Sequence, residues 1–347
     1  MPSHVSSPIS SRSPVRPLLK WAGGKRQLLS ALGLHFPARF ERYIEPFVGS
    51  GAVFFHLLGS GRLSGRQVVL ADVNRDLIGC YRALRDRPAD VIAYLSSLER
   101  EHRAAGDVCY YDVRDRRFNP GRAALDEPGA SGPYPAPLAA MLIFLNRTGF
   151  NGLFRLNRDG VFNVPAGRYV APRICDPEHL QTVAEELRTP GIAIELQPFD
   201  VTLAAAGRGD FVYCDPPYAP LSPTASFASY TAGGFTAFDQ RRLQHAVIAA
   251  CARGAQVVLS NSSAADIVAL YSAPEAAAAG LRVHRVAARR TINSRGSGRG
   301  AVDELIVTNV GPGHAAGSTA ALGPASVAPP RRLRMAKATG RRRVRTA

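Results

Sequence analysis

The run Arg42-Tyr43-Ile44-Glu45-Pro46-Phe47-Val48-Gly49-Ser50-Gly51, continued by the helical Ala52–Leu58, constrains the fold of this chain more than any other segment. It reads as a strand that runs into a tight glycine turn and then a helix, the unit from which doubly wound α/β sheets are built. In such a sheet the turn lets the backbone approach a nucleotide-type ligand where a side chain would clash. A Gly-x-Gly by itself is equally an ordinary strand-to-helix turn. Asp72 favours the ligand reading, because it follows the strand-like Gln67-Val68-Val69-Leu70 and lies 21 positions after Gly51. An acid at the tip of the second strand, about 20 residues past the turn, is placed to accept hydrogen bonds from a ribose diol. Glu45, Phe47, Gly49, Gly51 and Asp72 are thus candidate cofactor-binding residues.

Further strand-like apolar runs at Ile192–Leu196, Phe211–Cys214, Gln256–Ser260 and Leu305–Val310, with helix-like segments between several of them, extend the α/β pattern. One helix is well delimited: Thr236 can cap it, Leu243, Val247 and Ala250/Cys251 share a face, and Gly254 ends it. Residues 76–188 differ, being rich in Arg, Tyr and Asn with few strand alternations, and suggest a helical insertion with its own binding surface. Within it, the Gly- and Pro-containing stretch Asn119–Pro137 is expected as a surface loop. Residues 1–16 and 311–347 have the Ser/Pro/Arg and Gly/Ala/Pro bias of disordered ends.

With 347 residues and 46% hydrophobic content the chain can bury a sizeable core. Its formal charge of +16 points to a polyanionic partner, since a phosphate backbone attracts positive surface regardless of sequence. Eight Lys/Arg without an acid lie in 311–347 and two Arg without an acid in 1–16, so the body keeps only +6. No apolar run approaches the roughly 20 residues that span a bilayer, and the first residues lack the apolar stretch of a secretory signal. A cytoplasmic protein is expected, and nothing in the sequence demands more than a monomer. The five cysteines are widely spaced and never form a CxxC pair, which argues against a disulfide framework and against a zinc site.

The most informative stretch is Asp210-Phe211-Val212-Tyr213-Cys214-Asp215-Pro216-Pro217-Tyr218. A buried strand ends in an acid, two prolines and an aromatic. The prolines remove two backbone donors and fix φ, so the carboxylate of Asp215 and the carbonyl of Pro216 project as stiffly held acceptors, while Tyr218 supplies a flat face. That set suits one chemical problem, holding the exocyclic amine of a planar base whose lone pair is delocalised into the ring. Two acceptors on the N–H groups favour pyramidalisation, after which the nitrogen can attack a sulfonium methyl in line. The plain alternative is a Pro-Pro turn after a strand. Cys214 has no obvious base beside it and reads as buried structure. Upstream, in Lys20-Trp21-Ala22-Gly23-Gly24-Lys25, the only Trp can stack on an adenine ring or anchor the N-terminus to the core, and Lys25 can meet a carboxylate or phosphate.

Over about Pro17–Gly311 the chain resembles the Dam-type (D12 class) DNA adenine methyltransferases. The blocks LLKWAGGK, YIEPFVGSGAVF, LADVNRDLI, LNRTGFNGLFRLNRDGVFNVPAGRY, VYCDPPYAPLSPTASFASY and VDEL occur in the family's order. The resemblance implies a Rossmann-like methyltransferase domain, here residues 17–75 and 189–310, with a helical and β-hairpin DNA-recognition domain inserted over 76–188. It implies S-adenosylmethionine as cofactor and methylation of the adenine N6 of GATC in duplex DNA, the base being flipped out of the stack. Trp21, Gly23, Lys25, Asp72 and Asp215 match positions that bind or line the cofactor, and Asp215, Pro216, Pro217 and Tyr218 match the positions that hold the amine. Phe150, Asn151, Leu153, Arg155, Pro165 and Arg168 match positions that meet the target site, its flanks or the orphaned base. Arg155 suits guanine O6 and N7, Leu153 and Pro165 suit a thymine methyl, and Phe150 suits the space a flipped adenine leaves. Arg295, in the basic glycine-rich stretch Arg289–Arg299, can track phosphates or lie on a plain surface loop. The Asn119–Pro137 stretch, the N-terminal extension and the basic tail depart from the family's pattern. Methylation of cytosine N4 or of an RNA amine uses the same chemistry, and a silent DNA-binding protein would keep the same fold; the hairpin speaks against the former, the intact Asp72, Asp215 and Tyr218 against the latter.

Overall fold

Strands β1 (Arg42–Glu45), β2 (Gln67–Asp72), β3 (Ile192–Leu196), β4 (Asp210–Cys214), β5 (Gln256–Ser262), β6 (Arg282–Arg289) and β7 (Ala301–Thr308) form one sheet in the order β3-β2-β1-β4-β5-β7-β6. The computed structural model describes residues 15–21, 25–219, 234–289 and 301–311, within a unit that spans Met1–Ala315. Neighbours among β1 to β5 run parallel, and β7 runs antiparallel to both β5 and β6. Alternation assigns the faces, because successive strand residues point to opposite sides. Tyr43, Phe211, Tyr213, Val258 and Ile306 enter one apolar cluster, while Ile44, Val212, Cys214, Val257, Leu259, Leu305 and Val307 enter the other. A sheet buried on both faces reads as continuous hydrophobic strands, which is why these runs stood out in the sequence.

Several strand boundaries differ from expectation: β4 begins one residue earlier, at Asp210, β5 runs on to Ser262, and β7 ends at Thr308 rather than Val310. β2 runs on to Asp72, making that acid the last residue of the strand, and β7 begins at Ala301, ahead of the apolar run. β6, Arg-Val-His-Arg-Val-Ala-Ala-Arg, was not expected at all. It is an edge strand in which Arg282 and Arg285 are exposed, so its apolar signal is weak. The helix α6 (Ala237–Ala252) starts as expected at Thr236. There, Thr236 Oγ1 accepts from the Asp239 N–H and Asp239 Oδ2 accepts from the Thr236 N–H at 2.9 Å, a capping box.

Between β2 and β3 the chain is helical, with α2 (Arg75–Asp86), α3 (Pro88–Ala105), α4 (Ala136–Thr148) and α5 (Pro177–Leu187) as the main elements. The residues expected as a loop over Asn119–Pro137 are only partly one. Asn119–Ala124 is helical and continues from the π-helical Val113–Phe118, whose wider turn accommodates the donor that Pro120 lacks. Tertiary contacts fix the rest. The buried carboxylate of Asp76, 2% exposed, accepts from Arg122 Nε at 2.8 Å and from the Tyr134 hydroxyl at 3.0 Å. The Tyr134 ring fills the space over Gly79, where a methyl would stand 2.2 Å from its Cγ. Gly and Pro in this stretch therefore serve close packing as well as turning.

Removing Asp76 leaves the Arg122 guanidinium buried without its counter-charge. Asp76→Ala is expected to lower the unfolding free energy by about 3 kcal/mol or more, the usual cost of breaking one side of a buried pair. Urea denaturation of the variant beside wild type measures it.

Candidate functional site

β1 and β4 are neighbours, yet the chain leaves β1 for β2 on one side of the sheet and leaves β4 for β5 on the other. This is the topological switch point, where the loops beyond the carboxyl ends of the strands diverge and leave a crevice. Parallel pairing puts Glu45, Asp72 and Asp215 at that same end, on the tips of β1, β2 and β4. All three carboxyl groups are pushed up in pKa by burial.

In the turn after β1, Gly49 and Gly51 have φ of +47° and +65°, a region that disfavours side chains, and Gly51 caps α1 (Ala52–Gly59). A methyl at Gly49 would also stand 3.0 Å from Trp21 Cδ1. The Gly49 N–H donates to Asp72 Oδ2 at 3.3 Å and the Asn74 N–H to Asp72 Oδ1 at 2.9 Å. These donors oppose the burial that lifts Asp72 to about 6. Glu45, 2% exposed, is held well above the usual carboxylate range by burial, although the Tyr43 hydroxyl donates to its Oε2 at 2.9 Å. The Phe47 ring stacks on Phe199, centroids 5.4 Å apart, and meets Phe235 edge-on at 5.9 Å.

Across the crevice, Asp215 Oδ1 receives Lys25 Nζ at 2.8 Å and the Ser260 hydroxyl at 3.0 Å. Burial raises the Asp215 pKa and Lys25 opposes it. Lys25 Nζ also lies 4.4 Å from the centroid of the Tyr218 ring, a cation–π contact. The Tyr218 hydroxyl donates to Glu304 Oε2 on β7 at 2.7 Å. Gln240 Nε2 donates to the Pro217 carbonyl at 3.0 Å and Asn261 Nδ2 to Gln240 Oε1 at 3.0 Å, so α6 and β5 brace the tetrapeptide from below. Cys214 is fully buried and its thiol pKa is raised by burial, as a structural cysteine requires.

The third component reaches the crevice through Trp21, whose ring stacks on Phe154 with centroids 5.8 Å apart. Phe154 belongs to a hairpin-like excursion after α4. Its limbs are joined by the bridges Gly149↔Ala166 and Leu156↔Phe162 and by the Phe150 N–H donating to Pro165 O at 2.9 Å. Arg155 is fixed across the limbs, its Nε donating to Asn163 Oδ1 at 2.7 Å and its Nη2 to Asn163 O at 3.2 Å. Phe150 is 48% exposed, and Asn151, with φ of +54°, Pro165 and Arg168 are also exposed; Leu153 is half-buried.

The structure thus gathers Trp21, Lys25, Glu45, Phe47, Gly49, Gly51, Asp72 and Asp215–Tyr218 about one crevice, with the Phe150–Arg168 excursion joined to it through Trp21. Gly23 and Arg295 lie outside the described residues. Ser260, Glu304 and Gln240 contact the tetrapeptide and were not singled out from the sequence. They are polar residues inside two strands and a helix, where only the three-dimensional pairing shows what they meet. Among the described residues no cluster of three or more His, Cys, Asp or Glu could hold a metal ion, and no helix is long and apolar enough to cross a membrane.

A parallel sheet whose only reversed strand is wedged between β5 and β6, with a glycine turn and an acid on the first two strand tips, is a Rossmann-like methyltransferase fold. A family model for the D12 class N6 adenine-specific DNA methyltransferases matches residues 21–292. The type II methyltransferase M1.LlaDCHI of Lactococcus lactis subsp. cremoris is 37% identical over 86% of this chain and 96% of its own length. The type II methyltransferase M.MjaIII of Methanocaldococcus jannaschii is 38% identical over 85% of this chain and 99% of its own length. The DNA adenine methylase of Escherichia coli K12 is 35% identical over 84% and 94%. The chain belongs to the D12 class and is an adenine-specific DNA methyltransferase, which carries a methyl group to the N6 of adenine in DNA.

Asp72 titrates from about 6 in the folded protein against 3.8 as its ordinary value. A carboxyl raised on folding stabilises the fold below its ordinary pKa and loses that contribution as pH rises through the folded value. Stability from this group is therefore expected to rise as pH falls from about 6 to about 4 and to be flat above. Denaturation across that range should show a shallower slope in Asp72→Asn than in wild type, the remainder coming from the other raised carboxyls, Glu45 and Asp215.

Proposed function

We propose that the enzyme binds S-adenosylmethionine in the turn after β1 and methylates a flipped adenine within GATC in duplex DNA. The observation that carries this reading is the placement of Asp215 at the switch point, opposite the glycine turn and the acids of β1 and β2. The residues fit the cofactor. Positive φ at Gly49 and Gly51 makes the tight turn that brings the main chain to the switch point, and Asp72 at the tip of β2 accepts from a ribose diol. Glu45 and the Phe47 ring border the same turn, and the Trp21 indole lies against it. S-adenosylmethionine supplies a sulfonium-bound methyl group as the electrophile.

The chain's own part is to hold the nucleophile. Asp215 and the Pro216 carbonyl accept the two N–H groups of adenine N6, which withdraws the lone pair from the ring and aims it at the methyl carbon. Tyr218 stacks on the base, its ring set by the hydroxyl's bond to Glu304. The base must leave the helix to reach Asp215, because the tetrapeptide lies in a crevice. Residues 76–188 form the target-recognition domain inserted in the catalytic domain of 17–75 and 189–310. Arg155, its guanidinium oriented by Asn163, contacts guanine, while Leu153 and Pro165 meet a thymine methyl. Phe150 fills the space a flipped adenine leaves, Asn151 and Arg168 meet the target site, its flanks or the orphaned base, and Arg295 tracks phosphates while the basic tail adds nonspecific DNA affinity. The assignment of GATC is supported by the likeness of the hairpin run to the recognition segment of Dam-type enzymes. The enzyme acts as a monomer in the cytoplasm, in contact with the nucleoid.

Transfer of labelled methyl groups to paired duplexes with and without GATC tests the reading. Label confined to adenine of GATC duplexes is expected, with at least about a hundredfold loss in Asp215→Ala, the scale of removing one transition-state contact. With 2-aminopurine at the target position, a rise in fluorescence on binding reports flipping. Label on other sites would remove the GATC assignment and keep the chemistry.

A further inference from the structure

β4 and β5 are paired with Tyr213 opposite Val258 and Cys214 opposite Leu259, so the register continues to Asp215 beside Ser260. Tyr213, Asp215, Val258 and Ser260 share one face of the sheet by alternation. Ser260 and Tyr213 are 0% and 1% exposed. The Ser260 hydroxyl donates to Asp215 Oδ1 at 3.0 Å, and its oxygen lies 3.0 Å from the Tyr213 hydroxyl. A serine hydroxyl has one proton, and here Asp215 takes it, so the Tyr213 hydroxyl donates to Ser260. The result is a buried two-step chain of donors, Tyr213 to Ser260 to Asp215, each step polarising the next. Lys25 also meets Oδ1, at 2.8 Å, from the opposite, N-terminal segment.

We propose that Ser260 is a positioning residue, which fixes the Asp215 carboxylate through Oδ1 and so presents Oδ2 to the amine of the base. The inference rests on the reading of Asp215 as amine acceptor. An acidic side chain at the end of a strand is free to rotate about χ2, and an anchor on one oxygen from a fully packed strand removes that freedom. Lys25 sits on a flexible four-carbon stem and can follow a ligand, whereas Ser260 is fixed in the middle of the sheet. Among the described residues, the charged and titratable groups facing Asp215 are Lys25, Glu45 on β1, Tyr213 on β4, Tyr218 and Glu304 on β7. Of these only Lys25 and the serine chain favour the ionised carboxylate.

Steady-state methyl transfer by Ser260→Ala and Ser260→Cys, measured from pH 5 to 9 beside wild type and Asp215→Ala, tests the proposal. Cysteine fills nearly the same space but is a weak donor. Both Ser260 variants are expected to lose about tenfold or more in kcat, with KM for duplex and cofactor affinity unchanged, as for an interaction realised in the transition state. The acidic limb of the kcat profile should move to higher pH in both, because a hydrogen bond to the charged carboxylate has gone. A Ser260→Cys enzyme with wild-type kcat and an unmoved limb would reduce Ser260 to a space-filling residue and overturn the proposal. Retained transfer by Asp215→Ala would instead overturn the amine-acceptor reading, and this inference with it. Thermal unfolding of each variant separates a folded slow enzyme from a misfolded one.

Discussion

The side-chain amide of Asn146, 2% exposed on the last turn of α4, holds the functional architecture together. Its Oδ1 accepts from the Lys20 N–H at 2.8 Å, and its Nδ2 donates to Lys20 O at 2.7 Å and to Gly152 O at 2.9 Å. The amide thus pairs with Lys20 as a strand neighbour would, and its second N–H takes the start of the recognition excursion. Lys20 precedes Trp21, and Gly152 precedes Phe154, so one buried amide sets the two rings that stack beside the glycine turn. Close packing at Gly152 reinforces the clamp, since a methyl there would stand 2.5 Å from Lys20 Cβ. A buried amide with both N–H groups and its oxygen engaged specifies geometry in a way apolar packing does not.

Beside that clamp, the strand tips bring a chemically conflicting group of side chains to close quarters. Three carboxyl groups and Glu304 converge on the carboxyl end of the sheet, and burial raises the pKa of each of the first three. Lys25 offsets this at Asp215 alone. Among the described residues, Asp72 has backbone N–H groups to compensate it, and Glu45 chiefly the hydroxyl of Tyr43. Near neutral pH, where the acids must ionise, such an arrangement costs stability, and perturbed acids of this kind cluster at functional sites.

The legible part of the fold was the part where burial dominates. Val68, Ile194, Val212, Val257 and Ile306 mark strands because both faces of the central sheet are covered. The glycine turn and Asp215–Tyr218 were legible for a different reason, since positive φ and a rigid acceptor pair each demand particular residue types. β6 escaped because an edge strand need not be apolar on its outer side. The helix at Asn119–Ala124 escaped because Pro120 and Gly121 speak for a turn locally, while its stability comes from Arg122 reaching Asp76, 46 residues earlier in the chain. Ser260, Gln240 and Glu304 carry no local signal, and only strand register and helix packing bring them to the tetrapeptide. Trp21 left two readings open, and its place between Gly49 and Phe154 satisfies the packing one while leaving its ring bordering the crevice.

The wedged position of β7 has a consequence for biosynthesis. The chain makes β5, then β6, and only afterwards the strand that must slide between them. Until β7 has been synthesised, β5 presents an unpaired edge with both faces apolar, a surface that invites pairing with another chain. β6 meanwhile has no neighbour within the sheet. Glu304 travels on that late strand, so a nascent polypeptide can assemble the glycine turn and the tetrapeptide while the Tyr218 hydroxyl still has no acceptor. The central sheet is in this sense completed only by the last strand the chain makes.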